Sequence, residues 1–126
     1  MAGERVLIVE DNETSMKLFR DVLAATGYRT LEATTGRRAI ALAVEHGPDV
    51  VLMDVQLPDV DGLETLRRMR ADERTASLAV LAVTAQAMHG DRERFLAAGF
   101  DDYIAKPVDV LQLLDTVRQH CGQRAA

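Results

Sequence analysis

Asp54 closes the apolar run Val50-Val51-Leu52-Met53 and opens the turn Val55-Gln56-Leu57-Pro58-Asp59-Val60-Asp61-Gly62. A carboxylate at the end of a buried strand is costly to keep unpaired, so that position suits chemistry better than packing. Glu10 and Asp11 end a second apolar run, Val6-Leu7-Ile8-Val9. Thr84 ends a third run and Lys106 follows a fourth. Carboxylates gathered in one place repel, and protons, Lys106 or a divalent cation must neutralise them. Hard oxygen donors favour magnesium or calcium, and two or three carboxylates with room for waters and a phosphoryl oxygen suit magnesium better than a full calcium cage. The EF-hand spacing is absent from the sequence. One such carboxylate can serve as a nucleophile and become an aspartyl phosphate. That transfer asks for positioning and charge neutralisation more than for acid–base help. The metal and Lys106 would neutralise the phosphoryl oxygens, and the Thr84 hydroxyl would donate to one of them.

These groups are useful only if the chain brings them together. Apolar runs of strand length recur at 5–9, 29–33, 49–53, 78–83 and 101–105. The first and third are apolar almost throughout, as strands covered on both faces are. The second and fifth are more polar, as edge strands are. Helical spacing fills the gaps. Residues 13–26 carry Met16, Phe19, Val22 and Leu23 on one face and stop at Gly27. A second segment follows Gly36 and ends at Gly47-Pro48. Asp61 with Glu64, and Asp109 with Gln112, predict capping boxes for helices over 62–71 and 109–120. The last helix puts Val110, Leu113, Leu114, Val117 and Cys121 on one stripe. The segment 87–98 is the weakest, since Gly90 in its first turns costs about 1 kcal/mol relative to Ala.

Five β-α repeats predict an α/β fold, with a doubly wound parallel sheet, right-handed crossovers and helices on both faces. In the flavodoxin-like order 2-1-3-4-5, known for one of the two common doubly wound sheets, ligands bind beyond the carboxyl ends of the strands, where the order reverses. Strands 1 and 3 adjoin there, so Glu10 and Asp11 would face Asp54, with Thr84 beside them and Lys106 reaching in from strand 5. Residues 1–126 are expected to form a single domain.

Composition narrows the function. A net charge of −5 disfavours direct binding of nucleic acid, and 4% aromatics with no Trp offers little for base stacking. Arg67, Arg68 and Arg70 form the best basic cluster, expected as a solvated helix face. Cys121 is the only cysteine; no disulfide can form within the chain, which fits a reducing compartment, and core filling is its expected role. No apolar stretch has transmembrane length, and residues 1–5 lack a signal core; a cytoplasmic protein without membrane insertion is expected. His46, His89 and His120 read as surface residues without metal-ligand spacing. Met16, Met53, Met69 and Met88 read as core filler, and Asn12 as the N-cap of the first helix.

Glu10-Asp11-Asn12, the stretch from Met53 to Gly62, Val83-Thr84-Ala85 and the stretch from Ala98 to Pro107 together resemble the receiver domains of two-component response regulators, including the chemotaxis-regulator type, in the family's order along the whole chain. The resemblance implies a bacterial phosphoprotein of signal transduction, not an enzyme beyond promoting its own phosphorylation and dephosphorylation. It implies that Asp54 is the phosphoacceptor. Asp11, Asp54 and the Gln56 backbone carbonyl would bind Mg2+ directly, with Mn2+ as a substitute, and Glu10 would hold the metal's waters. Lys106 would bind the phosphoryl group, its peptide bond to Pro107 would be cis, and Thr84 with Tyr103 would be the switch pair. Taken alone, Thr84 reads as a strand-end cap and Tyr103 as a half-buried edge residue. Gln56 and Gln86 stand at positions that tune phosphoryl lifetime in the family. The implied partners are a sensor histidine kinase or a His-containing phosphotransfer protein, and a downstream effector reached through the helix 4–strand 5–helix 5 surface.

The chain is also similar to stand-alone cell-cycle regulators and to receivers of hybrid kinases. A phosphorelay intermediate, or a receiver cut from a larger kinase, is therefore an alternative, although Met1 and the polar tail 122–126 read as natural ends. An aspartyl-phosphate hydrolase is the rival from another class; it would want an acid two residues after the nucleophile, where Gln56 stands. A flavodoxin-like electron carrier would need a phosphate-cradling loop after strand 1, where Glu10 and Asp11 repel phosphate. A degenerate receiver that only binds partners would not need the five polar residues.

Overall fold

The computed structural model describes residues 4–85 and 91–125. Among them, strands β1 (Arg5–Val9), β2 (Arg29–Ala33), β3 (Val50–Asp54), β4 (Ala79–Thr84) and β5 (Asp102–Ala105) alternate with helices α1 (Glu13–Ala25), α2 (Gly36–His46), α3 (Gly62–Ala71), α4 (Asp91–Ala98) and α5 (Val110–Ala125). The strands are parallel in the order β2-β1-β3-β4-β5, as expected. The strand boundaries shift slightly: β3 takes in Asp54 and β4 takes in Thr84, so both polar groups sit in the sheet rather than after it. Sheet hydrogen bonds from the neighbouring strand extend one residue past the last apolar side chain, which hydropathy does not record.

Alternation along each strand divides the core in two. Val6, Ile8, Val50, Leu52, Leu81 and Val83 pack under α1 and α5 with Phe19, Leu23, Leu113, Val117 and Cys121. Leu7, Val9, Val51, Met53, Val80 and Ala82 face the other way, toward Leu42, Leu66, Met69 and Phe95 of α2, α3 and α4. Central strands buried on both faces must be continuously apolar, whereas β2 and β5 at the edges are partly exposed. Met16, Met53 and Met69 are in the core as expected; Gln86, Met88, His89 and Gly90, with the predicted start of helix 87–98, lie outside the described residues.

Caps set where the helices begin. Asn12 Oδ1 accepts from Ser15 N at 3.0 Å, Thr35 Oγ1 from Arg38 N at 3.1 Å and Asp61 Oδ1 from Glu64 N at 2.8 Å. Asp109 Oδ1 accepts from Leu111 N and Gln112 N. Only this half of the expected box at Asp61 forms, because the Glu64 carboxylate turns to Arg67 and Arg68 instead. Gly47 closes α2 in the left-handed region with φ 55°.

Three expectations need correction. Arg70 is not part of a solvated basic face: its guanidinium reaches the carbonyls of Ala76, Leu78 and Gly99 and the Asp101 carboxylate, tying α3 to the start of β5. His120 is buried, with Nε2 3.3 Å from Asp102 Oδ2 on β5. Helix α5 continues past residue 120, which puts His120 inside the helix beside the inward-facing Cys121. Val110 is exposed, so the buried stripe begins at Leu113.

Candidate functional site

Four of the five strands, β1, β3, β4 and β5, deliver polar residues to the same end of the sheet. Val9 of β1 pairs with Met53 of β3, so Glu10 follows opposite Asp54. Asp54 pairs with Val83, immediately before Thr84. Lys106 N donates to Thr84 O at 2.8 Å and prolongs the β4–β5 ladder by one residue. The Lys106–Pro107 bond is cis, as expected.

The result is a compact acidic site. Carboxylate oxygens of Glu10, Asp11 and Asp54 lie within 4.8 Å of one another. Lys106 Nζ donates to Glu10 Oε1 at 3.0 Å and stands 3.6 Å from Asp54 Oδ2. Glu10 is 1% exposed and Asp54 7%, whereas Asp11 opens to solvent. Backbone donors complete the coordination of the buried pair: Asn12 N gives to Glu10 Oε2 at 3.2 Å, and Gln56 N to Asp54 Oδ1 at 2.9 Å. Burial raises the Glu10 carboxyl above its ordinary range, reinforced by the neighbouring Asp54 and only partly opposed by Lys106. Burial alone would lower the Lys106 ammonium, but Glu10 and Asp54 outweigh it and hold it above its usual value.

Three carboxylates against one ammonium leave two negative charges. Closely spaced oxygen donors with that surplus fit a hard divalent cation. Beside them runs an open groove of about 400 Å³, lined by Asp11, Glu13, Lys17, Arg20 and Glu32 among others. Thr84 is buried at the strand end. Tyr103 is half-buried on β5, its ring 6.1 Å from that of Phe95 on α4. The structure thus gathers Glu10, Asp11, Asp54, Thr84 and Lys106 at one end of the sheet and sets Tyr103 one strand out, against α4.

Two contributions escape a reading of the sequence. Gly62 lies against the backbone of the acceptor strand; a Cβ there would fall 2.6 Å from Asp54 O and 2.7 Å from Val55 Cα. The Pro/Gly turn hinted at a tight passage but not at what it packs on. Asp59 accepts from Gly36 N at 2.8 Å and Arg37 N at 3.2 Å, at the start of α2. Nothing local in the sequence announces a partner 23 residues away.

A family profile described as response regulator receiver domain matches residues 6–118. The chain belongs to that family. The receiver is similar to the polar-differentiation response regulator DivK of Brucella ovis, at 48% identity over 93% of this chain and 95% of that protein. It is also similar to the receiver domain of a sensor histidine kinase of Pseudomonas aeruginosa, solved with magnesium coordinated in the active-site cleft: TM-score 0.88, 36% identity, covering 96% of this chain and 99% of that one. The Vibrio cholerae chemotaxis protein CheY4 superposes on the receiver with a TM-score of 0.86 at 26% identity, over 94% and 98% of the two chains. Receivers are signalling switches of two-component systems, and no helix among the described residues is long and apolar enough to cross a membrane.

Proposed function

We propose that residues 1–126 act as one receiver domain that accepts a phosphoryl group on Asp54 from a phosphohistidine of a sensor kinase or a phosphotransfer protein, in the cytoplasm, and changes partner binding in response. The observation that carries this reading is the convergence of Asp54 with Lys106 and two further carboxylates. In the transfer, an Asp54 oxygen forms a bond to phosphorus as the bond from phosphorus to the histidine nitrogen breaks, and the imidazole departs with its electron pair. The protein's part is to place the carboxylate in line and to meet the phosphoryl oxygens with positive charge and donors. Lys106 supplies the ammonium and Thr84 the hydroxyl. Asp11, Asp54 and the Gln56 carbonyl would hold magnesium, with Glu10 on its waters; manganese would serve in its place. When bound, the cation neutralises charge on the transferring group. The magnesium named with the Pseudomonas receiver supports the same assignment here.

Asp54 stays the carrier and transforms no other substrate, so the domain is a switch rather than an enzyme. Gln56, where a hydrolase would place its second acid, favours this over an aspartyl-phosphate hydrolase. The likeness to a receiver of a sensor histidine kinase favours a relay role as a second reading, distinguished by whether the phosphoryl group moves on to a histidine phosphotransfer protein. The primary test is intact mass after incubation with magnesium and a small phosphodonor. We expect the wild type to gain one phosphoryl group, and Asp54→Asn or addition of EDTA to abolish the gain. No gain with any donor would leave a binding module without acceptor chemistry.

A further inference from the structure

The segment 55–61 between β3 and α3 carries Gln56, the residue assigned the metal-binding carbonyl. It is closed at its stem, where Gly62 N donates to Val55 O at 2.8 Å and Val55 N to Val83 O at 3.1 Å. Its far side is pinned by buried Val60, whose carbonyl accepts from Thr65 Oγ1 at 3.2 Å. The stretch between has little burial to hold it: Gln56 and Pro58 are exposed and Leu57 is only half-buried. Gln56 N is bonded to Asp54 Oδ1 of β3 at 2.9 Å and Leu57 packs at the edge of the core. Among the described residues, the hydrogen bonds from this stretch to α2 come from the Asp59 carboxylate, with Oδ1 on Gly36 N and Oδ2 on Arg37 N. These are N–H groups of the first turn of α2, which no carbonyl within that helix can accept. Thr35 Oγ1 caps Arg38 N and leaves those two donors to Asp59. Gly36 packs against Thr65 Oγ1 and Val60 O so closely that a Cβ would collide with both. Helix α2 therefore meets the loop directly.

We infer that Asp59 is a positioning residue that latches the β3–α3 loop onto the first turn of α2, and so sets how tightly the acidic site holds magnesium. The inference rests on the proposed function, in which the Gln56 carbonyl completes the metal site. A ligand on a tethered loop is ordered before the metal arrives, and a ligand on a free loop must be ordered by it. Removing groups hydrogen-bonded directly to metal ligands weakens affinity by about 10–100-fold; Asp59 acts at one remove, through the loop, which sets the expected loss at the low end of that range.

The test is calorimetric titration of magnesium chloride into wild type, Asp59→Ala and Asp59→Asn, with a thermal melt of each in EDTA. We expect Asp59→Ala to bind magnesium about tenfold more weakly and Asp59→Asn, which keeps one acceptor oxygen, to lose less. A lowered melting temperature with unchanged magnesium affinity would make Asp59 a helix cap only and overturn the inference. Equal losses in both variants that disappear in high salt would assign the effect to the missing charge and overturn it too. If Asp59→Ala fails to fold, Asp59→Asn alone decides, by a severalfold loss or none. Absence of binding to the wild type is a separate result: it removes the metal from the proposed function, and the latch with it.

Discussion

The acidic site depends on one ammonium shared by two buried carboxylates. Lys106 touches Glu10 and stands beside Asp54, and removing one partner of a buried pair leaves the other's charge uncompensated. Breaking a fully buried pair costs about 3–5 kcal/mol. The Lys106 side chain keeps 23% of its surface in water, which moderates the loss to roughly 2–3 kcal/mol. Lys106→Met should therefore unfold at lower urea in EDTA, and magnesium should restore much of the difference; equal urea midpoints for wild type and variant would contradict the pairing. A second residue-scale expectation concerns Cys121. Burial, with Glu4 and Asp49 nearby, pushes its thiol up to about 12. Since the thiolate is the reactive form, a thiol reagent at pH 8 should leave the native protein unlabelled and label it in urea. Rapid labelling without denaturant would contradict the packing of α5.

At the scale of elements, carboxylates at helix ends link the fold to pH. Asp59 is held down to about 2: burial works against this, but backbone N–H groups of Val60, Gly36 and Arg37 prevail. Glu64 is lowered to about 2 by Arg67 and Arg68, and Asp72 to about 2 by Arg74. A carboxyl lowered in the folded state contributes stability that is complete above its ordinary value, 3.8 for Asp and 4.5 for Glu, and is lost as pH falls through that value toward about 2. Urea midpoints should thus hold steady near neutrality and drop below about pH 5, with a shallower drop in Asp59→Asn. An identical acid profile for that variant would sink the assignment. Gly62 tests the same region by packing: Gly62→Ala drives a methyl into the backbone of Asp54 and Val55, which cannot swing aside as a side chain can. Overpacking of this kind costs about 1–3 kcal/mol in urea denaturation.

For the whole molecule, the proposed switch joins the site to the far face. Thr84 ends β4 beside the acceptor strand, and Tyr103, on β5, packs against Phe95 of α4. Helix α4 spans eight described residues and contributes Phe95 to the core. Mobile elements come from the least stable parts of a fold. Phosphorylation adds charge and acceptor oxygens; we expect it to draw the Thr84 hydroxyl inward, to open space for Tyr103 and to shift α4 between two pre-existing states. Taking a 1:99 mixture to 99:1 needs about 5.5 kcal/mol of differential interaction. Thr84→Ala should then still be phosphorylated while the phosphorylated form binds its effector more weakly. Unchanged binding would rule out that route, and hydrogen exchange across α4 that is insensitive to phosphorylation would rule out its movement.

The β-α rhythm, the doubly apolar central strands, the N-caps and the polar residues at strand ends were legible in the sequence, because they depend on local periodicity and on residue type at a boundary. The resemblance to receivers then said which of those residues to watch. Tertiary structure alone decided the pairings: Lys106 on Glu10 across 96 residues, Arg70 on Gly99 across 29, Asp59 on Gly36 across 23, and His120 inside rather than on the surface. Such contacts are made by elements that meet only after the sheet has assembled. Their energies depend on burial and distance, which no local pattern of residues encodes.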